Sequence, residues 1–251
     1  MNNDKQKVID LFIKNVKGRS PSTSSFNQGH DGKAGHWLEV QMGIKANASN
    51  KPDLYGYEMK NHTSRKTTWG DWSANFYIFK KNSGYGINKT QFLHIFGKSN
   101  PEKNGRYSWS GEPFPKIGIH NNFGQILNID SNNNILALYF FSKDVRNNKQ
   151  QIVPKHMQIE GLVLARWDAD KLKELVENKF NQSGWFKCKK NAQDIYTSIV
   201  FGPPINFLTW LKLVKSKDVF LDSGMNEGTS RNRVSWRSNN SVWDKLIISS
   251  H

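Results

Sequence analysis

With 251 residues, 36% apolar and 12% aromatic, the chain can bury a sizeable core as one large domain or two interlocked lobes, and it is too apolar for disorder. Its 36 Lys and Arg against 21 Asp and Glu leave a formal net charge of +15, a self-repelling excess that points to a polyanionic partner such as nucleic acid. The longest apolar runs, such as Ile135 to Phe141, are too short to cross a bilayer, and no apolar signal core follows the opening Met-Asn-Asn-Asp-Lys-Gln-Lys, so neither membrane insertion nor export is expected.

Val8, Leu11, Phe12 and Val16 recur at helical spacing, so Asp4 to Val16 is predicted as an amphipathic helix. Gly18 to Lys33, rich in Ser, Gly, Pro and Asn, is predicted as a loop. Gly35 to Met42 follows as a second helix, with Trp37, Leu38 and Met42 inward and Glu39 near its middle. From Pro52 to Lys60 the pattern alternates as in a strand, with Tyr55, Tyr57 and Met59 on one face and Glu58 and Lys60 on the other.

Phe76 to Phe79, Phe92 to Phe96 and Ile135 to Phe141 are predicted as strands, the last at a sheet centre because it is apolar throughout. Pro101 to Pro115 is a Gly-, Pro- and Asn-rich connection. Leu162 to Ala165 is a short buried strand, and Asp168 to Phe180 a helix with Leu172, Leu175, Val176 and Phe180 on one stripe. A strand from Ile195 to Phe201 ends at Pro203-Pro204, and a helix runs from about Ile205 to Val214. A polar segment beyond Asp218 leads to a short element around Trp243 to Ile248. The mixture argues for an α/β or α+β architecture.

The single cysteine, Cys188, excludes an intramolecular disulfide and a thiolate-rich zinc site, and a reducing, cytoplasmic setting follows. Its neighbours Lys187, Lys189 and Lys190 are expected to lower its pKa. No GxxxxGK[ST] loop is present, so ATP dependence is not expected. His120-Asn121-Asn122 lacks the second histidine that an HNH nuclease would need.

Pro52-Asp53 through Glu58-Met59-Lys60 carries the most chemistry. On a strand, Glu58 and Lys60 point the same way, with roughly 7 Å between their Cα atoms. Asp53 lies far enough before Glu58 for a hairpin to bring the two carboxylates together. Converging carboxylates with a nearby carbonyl suit Mg²⁺, which takes hard oxygen ligands and keeps waters. A lysine there can orient or deprotonate an attacking water. A solvated surface hairpin bearing a Glu–Lys pair fits the same residues, and these residues alone do not separate the two readings.

Gly35-His36-Trp37-Leu38-Glu39, Gly43-Ile44-Lys45-Ala46-Asn47-Ala48 and Pro52-Asp53 through Glu58-Met59-Lys60 together resemble the PD-(D/E)xK nuclease core. More narrowly, they resemble the branch holding the MvaI and BcnI type II restriction endonucleases and the mismatch-repair nickase MutH. The match covers roughly Lys33 to His62, and Glu39 stands fourteen residues before Asp53, as the pattern requires. The resemblance implies an α/β fold: a restriction-endonuclease-like core with a mixed central sheet flanked by helices, plus a recognition lobe. The expected organisation is a catalytic lobe over residues 1–150 and a DNA-recognition lobe over 151–251.

The resemblance further implies that Asp53, Glu58 and the Met59 carbonyl bind Mg²⁺, that Lys60 positions the nucleophilic water, and that Glu39 is an auxiliary acid. It implies a type II restriction endonuclease that cuts double-stranded DNA at a short specific sequence, with a MutH-like nickase or an inactive DNA-binding protein as alternatives. A bacterial cytoplasm, a monomer with a dimer as the alternative, and a cognate DNA methyltransferase as genetic partner complete the expectation.

Just past the active strand, His62, Arg65 and Lys66 are expected on phosphates. Near the C-terminus, Asp222 to Arg237 looks unlike a packing element, because Gly224 and Gly228 permit tight turns and three arginines alternate with amides and hydroxyls. Arg reads guanine, Asn reads adenine and Glu accepts from the cytosine amine. Asn226, Glu227, Arg231, Asn232, Arg233 and Arg237 are therefore the candidate base-reading or phosphate-binding set, with Arg231 and Arg233 on one face of a strand. Trp72, Tyr107 and Trp109 are predicted to be structural rather than base-stacking.

Overall fold

The computed structural model describes residues 3–22, 32–45, 49–61 and 66–251. In chain order the first half runs α1 (Asn3–Asn15), α2 (Lys33–Gln41), β1 (Tyr57–Lys60), β2 (Lys66–Gly70), β3 (Phe76–Tyr77), α3 (Lys89–Phe96), β4 (Lys98–Asn100), β5 (Arg106–Trp109), β6 (Phe123–Ile129) and β7 (Ile135–Asp144). The second half runs α4 (Lys149–Ile152), β8 (Leu162–Trp167), α5 (Ala169–Phe180), β9 (Gly184–Lys190), β10 (Tyr196–Gly202), α6 (Phe207–Lys215), β11 (Val219–Ser223), β12 (Met225–Asn226), β13 (Val234–Asn239), α7 (Asn240–Lys245) and β14 (Ser249–Ser250). Among the described residues no helix is long and apolar enough to cross a membrane. Most of the predicted loop between Gly18 and Lys33, and the motif residues Ala46, Asn47 and Ala48, lie outside the described residues.

The chain divides into two units. One comprises Met1–Thr67, Glu174–Trp210 and Ser238–His251, the other Thr68–Lys173 and Leu211–Arg237. The chain thus contributes three segments to one unit and two to the other.

The first unit is built on a mixed sheet of order β1-β9-β10-β14, as expected for the fold class. β1 runs parallel to β9, while β10 is antiparallel to both β9 and β14. Alternation sends Tyr57 and Met59 to one face, where they meet Phe186 and Cys188 of β9 and Ile199 and Phe201 of β10. Val8, Ile9 and Phe12 of α1 and Trp37 and Leu38 of α2 cover that face, each fully buried large side chain contributing roughly 1.5–3 kcal/mol. The opposite face carries Glu58, Lys60 and Trp185, and the end of α5 and α7 pack over it. Trp243 meets Trp185 edge-on at 5.0 Å and Phe180 at 6.0 Å.

Strand alternation also corrects the expectation for Cys188. Lys187 and Lys189 point to the other face of β9, and Cys188 is fully buried in the core, where desolvation pushes its thiol pKa up instead of down.

In the second unit, β7 lies inside a sheet of order β3-β8-β7-β6, which fits its apolar run. Sheets of order β12-β5-β4 and β11-β13-β2 complete the strands, so β5 lies within the predicted Pro101–Pro115 connection. Phe92 to Phe96, expected as a strand, is the body of helix α3. Asn88 accepts from the Gln91 N–H and the Gln91 side chain accepts from the Asn88 N–H, a reciprocal cap that starts the helix. Trp69, Trp72, Trp109 and Trp236 are all buried.

Candidate active site

The loop before β1 is a two-residue hairpin. Leu54 N–H bonds the Tyr57 carbonyl at 3.0 Å and Tyr57 N–H the Leu54 carbonyl at 2.8 Å. Tyr55 and Gly56 between them have φ of 49° and 78°, the pattern of a type I′ turn that tightens two antiparallel strands. This register places Asp53 opposite Glu58, so the turn itself makes the two carboxylates converge.

β1 is the edge strand of its sheet. Because the N–H and C=O of one strand residue point to the same edge, and Tyr57 uses both toward Leu54, Met59 two residues on faces that same free edge. Its N–H donates to Asp53 Oδ2 at 2.9 Å, and its carbonyl emerges beside it.

Glu58 and Lys60 are 4% and 5% exposed. Lys60 Nζ donates to Glu58 Oε1 at 2.8 Å, and Lys179 Nζ, from the last turn of α5, lies 3.2 Å from the same oxygen. Glu58 Oε2 is buried with no hydrogen-bond partner among the described residues. The Lys60 ammonium also sits 4.9 Å from the Phe180 ring centroid and 5.5 Å from that of Trp243, held by cation–π attraction.

Desolvation, reinforced by the charge of Glu58, pushes the Asp53 carboxyl up to about 6, against the bond from Met59 N–H. Burial lowers the Lys60 pKa, opposed mainly by Glu58. The buried Glu58 with its unmet oxygen, the half-buried Asp53 and the Met59 carbonyl form a donor set with the hardness Mg²⁺ requires.

Glu39 stands on α2, its carboxylate 3.5 Å from His36 Nδ1. Gly35, one turn earlier on the same face, is pressed so close to Asn61, just past β1, that an added Cβ would lie 2.6 Å from Asn61 Nδ2. Among the described residues no three His, Cys, Asp or Glu side chains gather into a metal-binding group, so Glu39 does not join Asp53 and Glu58 directly. His62 and Arg65 lie outside the described residues, and Lys66 opens β2 as an exposed residue.

Sequence reasoning missed Lys179, Lys187 and Asp244. Lys187 pairs with Lys60 in the β1–β9 register and is 1% exposed. Burial lowers its pKa, and its Nζ lies 3.6 Å from Asp244 Oδ1, which also meets Lys189 Nζ at 3.2 Å. Lys179 was the more findable: it lies four residues after Leu175 and three after Val176 on the apolar stripe of α5, where a cation is out of place.

In the second unit a groove of about 880 Å³ is lined by Arg231, Asn232, Arg233 and Arg237 together with Asp71 and Asp222. Regular strand starts only at Val234, so Arg231 and Arg233 both precede it. Within it Ser235 and Arg237 share the outward parity, opposite buried Val234, Trp236 and Ser238, and Arg233 just before it is exposed. Arg237 Nη1 lies 3.4 Å from Asp222 Oδ2, and Ser235 donates to Asp71.

Asn226 and Glu227 are engaged elsewhere. The Asn226 side chain bonds the Gly224 carbonyl and the Gly228 N–H, each at 2.9 Å. Glu227 accepts from Tyr107 N–H at 2.7 Å and pairs with His94 at 2.5 Å. Partial burial opposes its ionisation, yet these bonds hold its carboxyl below the usual range.

The sequence profile described as LlaMI restriction endonuclease matches residues 16–251. The type II restriction enzyme ScrFI of Lactococcus lactis subsp. cremoris is 47% identical over the full length of both chains. Among solved structures, the restriction endonuclease MvaI in complex with its cognate DNA substrate matches with a TM-score of 0.65 at 14% identity, covering 100% of this chain and 98% of that one, a likeness of fold. The chain belongs to the LlaMI restriction endonuclease family and is a site-specific deoxyribonuclease.

Proposed function

We propose that the chain hydrolyses phosphodiester bonds of double-stranded DNA at a short sequence with Mg²⁺ held by Asp53, Glu58 and the Met59 carbonyl. The observation that carries this reading is Glu58. It is 4% exposed, keeps one oxygen unmet while two lysines share the other, and stands opposite a second carboxylate whose pKa is raised, an arrangement that a divalent cation would complete. A bound Mg²⁺ supplies the positive charge that offsets charge building on the phosphate. Lys60 orients the attacking water, its ammonium held beside Glu58. Glu39 acts at longer range, through water.

The first unit cuts and the groove of the second reads, with Arg233 and Arg237 toward base edges and His62, Arg65 and Lys66 toward phosphates. The protein acts as a monomer, and a DNA methyltransferase protects the host's own copies of the site. Incubating purified protein with unmethylated plasmid and Mg²⁺, beside EDTA and Asp53→Ala controls, tests the reading. Discrete fragments lost in both controls support it, nicking alone replaces restriction with a repair-type activity, and cleavage that survives Asp53→Ala removes the site assignment.

A further inference from the structure

We infer that Lys179 is a positioning residue of the same centre: its ammonium holds the Glu58 carboxylate in the metal-free protein and withdraws when a divalent cation binds. The inference rests on the metal-centre reading above and goes beyond it, because neither a metal ligand nor a water-positioning lysine need come from α5.

Two ammonium groups converge on a single oxygen, Lys60 at 2.8 Å and Lys179 at 3.2 Å from Glu58 Oε1. With Asp53 beside them, the four side chains balance as two positive and two negative charges. Such balance makes burial of Glu58 tolerable without a metal. A divalent cation placed against the same carboxylates leaves two positive charges in excess, an excess that the withdrawal of one ammonium halves.

Lys60 is poorly placed to leave. Its side chain is 6% exposed, and its ammonium lies over the rings of Phe180 and Trp243. Lys179 is the residue built to move. Its side chain is 20% exposed, it stands on the last turn of α5, and a four-carbon stem can carry the charge to solvent while its methylenes stay against the protein. The helix C-terminus favours a cation in either position. Lys179 thus competes with the metal for Glu58, setting the metal affinity and keeping the empty centre folded.

The test is direct binding of Mn²⁺ without DNA, read as free Mn²⁺ by electron paramagnetic resonance, together with thermal unfolding with and without Mn²⁺. Wild type is compared with Lys179→Met, Lys179→Gln, Lys179→Arg and Glu58→Gln. Removing the competing charge in Lys179→Met or Lys179→Gln is expected to tighten Mn²⁺ binding about tenfold and to lower the midpoint of the metal-free protein, a deficit that saturating Mn²⁺ closes. Lys179→Arg should stay near wild type. Should one neutral variant fail to fold, the other carries the comparison. Binding that is unchanged or weaker in the neutral variants overturns the role of Lys179. Binding that is absent in wild type, or indifferent to Glu58→Gln, instead removes the metal centre itself and this inference with it.

Discussion

Replacing Gly56 by alanine tests how the fold makes the site. Gly56 has φ of 78°, where a side chain costs about 1–2 kcal/mol. An added Cβ would also lie 2.7 Å from Ser183 Oγ, which must rotate away and give up its 3.4 Å contact with the Tyr55 carbonyl, worth about 0.5–1 kcal/mol. The sum is about 2 kcal/mol, or roughly 4–8 °C in melting temperature for a chain of this size. Gly43, at φ 76° with nothing within 4 Å of its would-be Cβ, supplies the control, because alanine there meets only the backbone cost. Melting curves of Gly56→Ala, Gly43→Ala, Ser183→Ala and the Gly56→Ala, Ser183→Ala double variant separate the terms, since in the Ser183→Ala background Gly56→Ala should cost only its backbone part. Gly56→Ala should also lose cleavage rate beyond its stability deficit, since the turn sets Asp53 opposite Glu58. Equal melting losses at the two glycines, with cleavage untouched, would refute the reasoning.

Metal binding should depend on pH through Asp53. Its pKa is raised from 3.8 to about 6, so the metal-free protein gains stability from this group below pH 3.8 and loses it as the pH rises through 6. A cation needs the charged form, so Mn²⁺ affinity should fall as the pH drops below about 6, and an affinity flat across that window would contradict the assignment. Arg233→Ala should relax sequence choice by about 1–3 kcal/mol, read from cleavage rates on single-base variants of the site; uniform weakening on all sequences would place Arg233 on a phosphate. Glu227→Ala should lower the melting temperature, because it leaves Tyr107 N–H and His94 without their acceptor, and the cut sequence should not change. A change in the bases cut would return Glu227 to the reading set.

The carboxylates were legible because everything that brings them together is local: a Tyr55-Gly56 turn, strand parity for Glu58 and Lys60, and one hairpin register. The buried stripes of α1 and α5 were legible for the same reason. Phe92 to Phe96 misled because aromatic and β-branched residues favour strands, while the deciding signal, Asn88 and Gln91 as a reciprocal cap, lay just upstream. β9, the parallel partner of β1, was hidden by its lysines: Lys187 is buried, and no local pattern announces a buried cation. Periodicity marks Lys179 as a cation out of place on the stripe of α5, but that it and Asp244 meet residues of β1 and β9 is decided by packing between segments distant in sequence, which periodicity cannot report. In the Arg-rich segment the chemistry was visible, but the boundary was not: regular strand begins at Val234, so the outward strand parity belongs to Ser235 and Arg237, and the composition that suggested base reading also supplied the turn bonds of Asn226 and Glu227.

The central claim is that Asp53 and Glu58 form the centre with which this nuclease cuts DNA at one short sequence. Sequencing every end released from a random-sequence DNA library with Mg²⁺, by wild type and by Glu58→Gln, tests it most directly. Wild-type ends should all fall within one short motif, and a folded Glu58→Gln protein that still binds the same motif should release none. Ends scattered over unrelated sequences, or the same ends from Glu58→Gln, would contradict it.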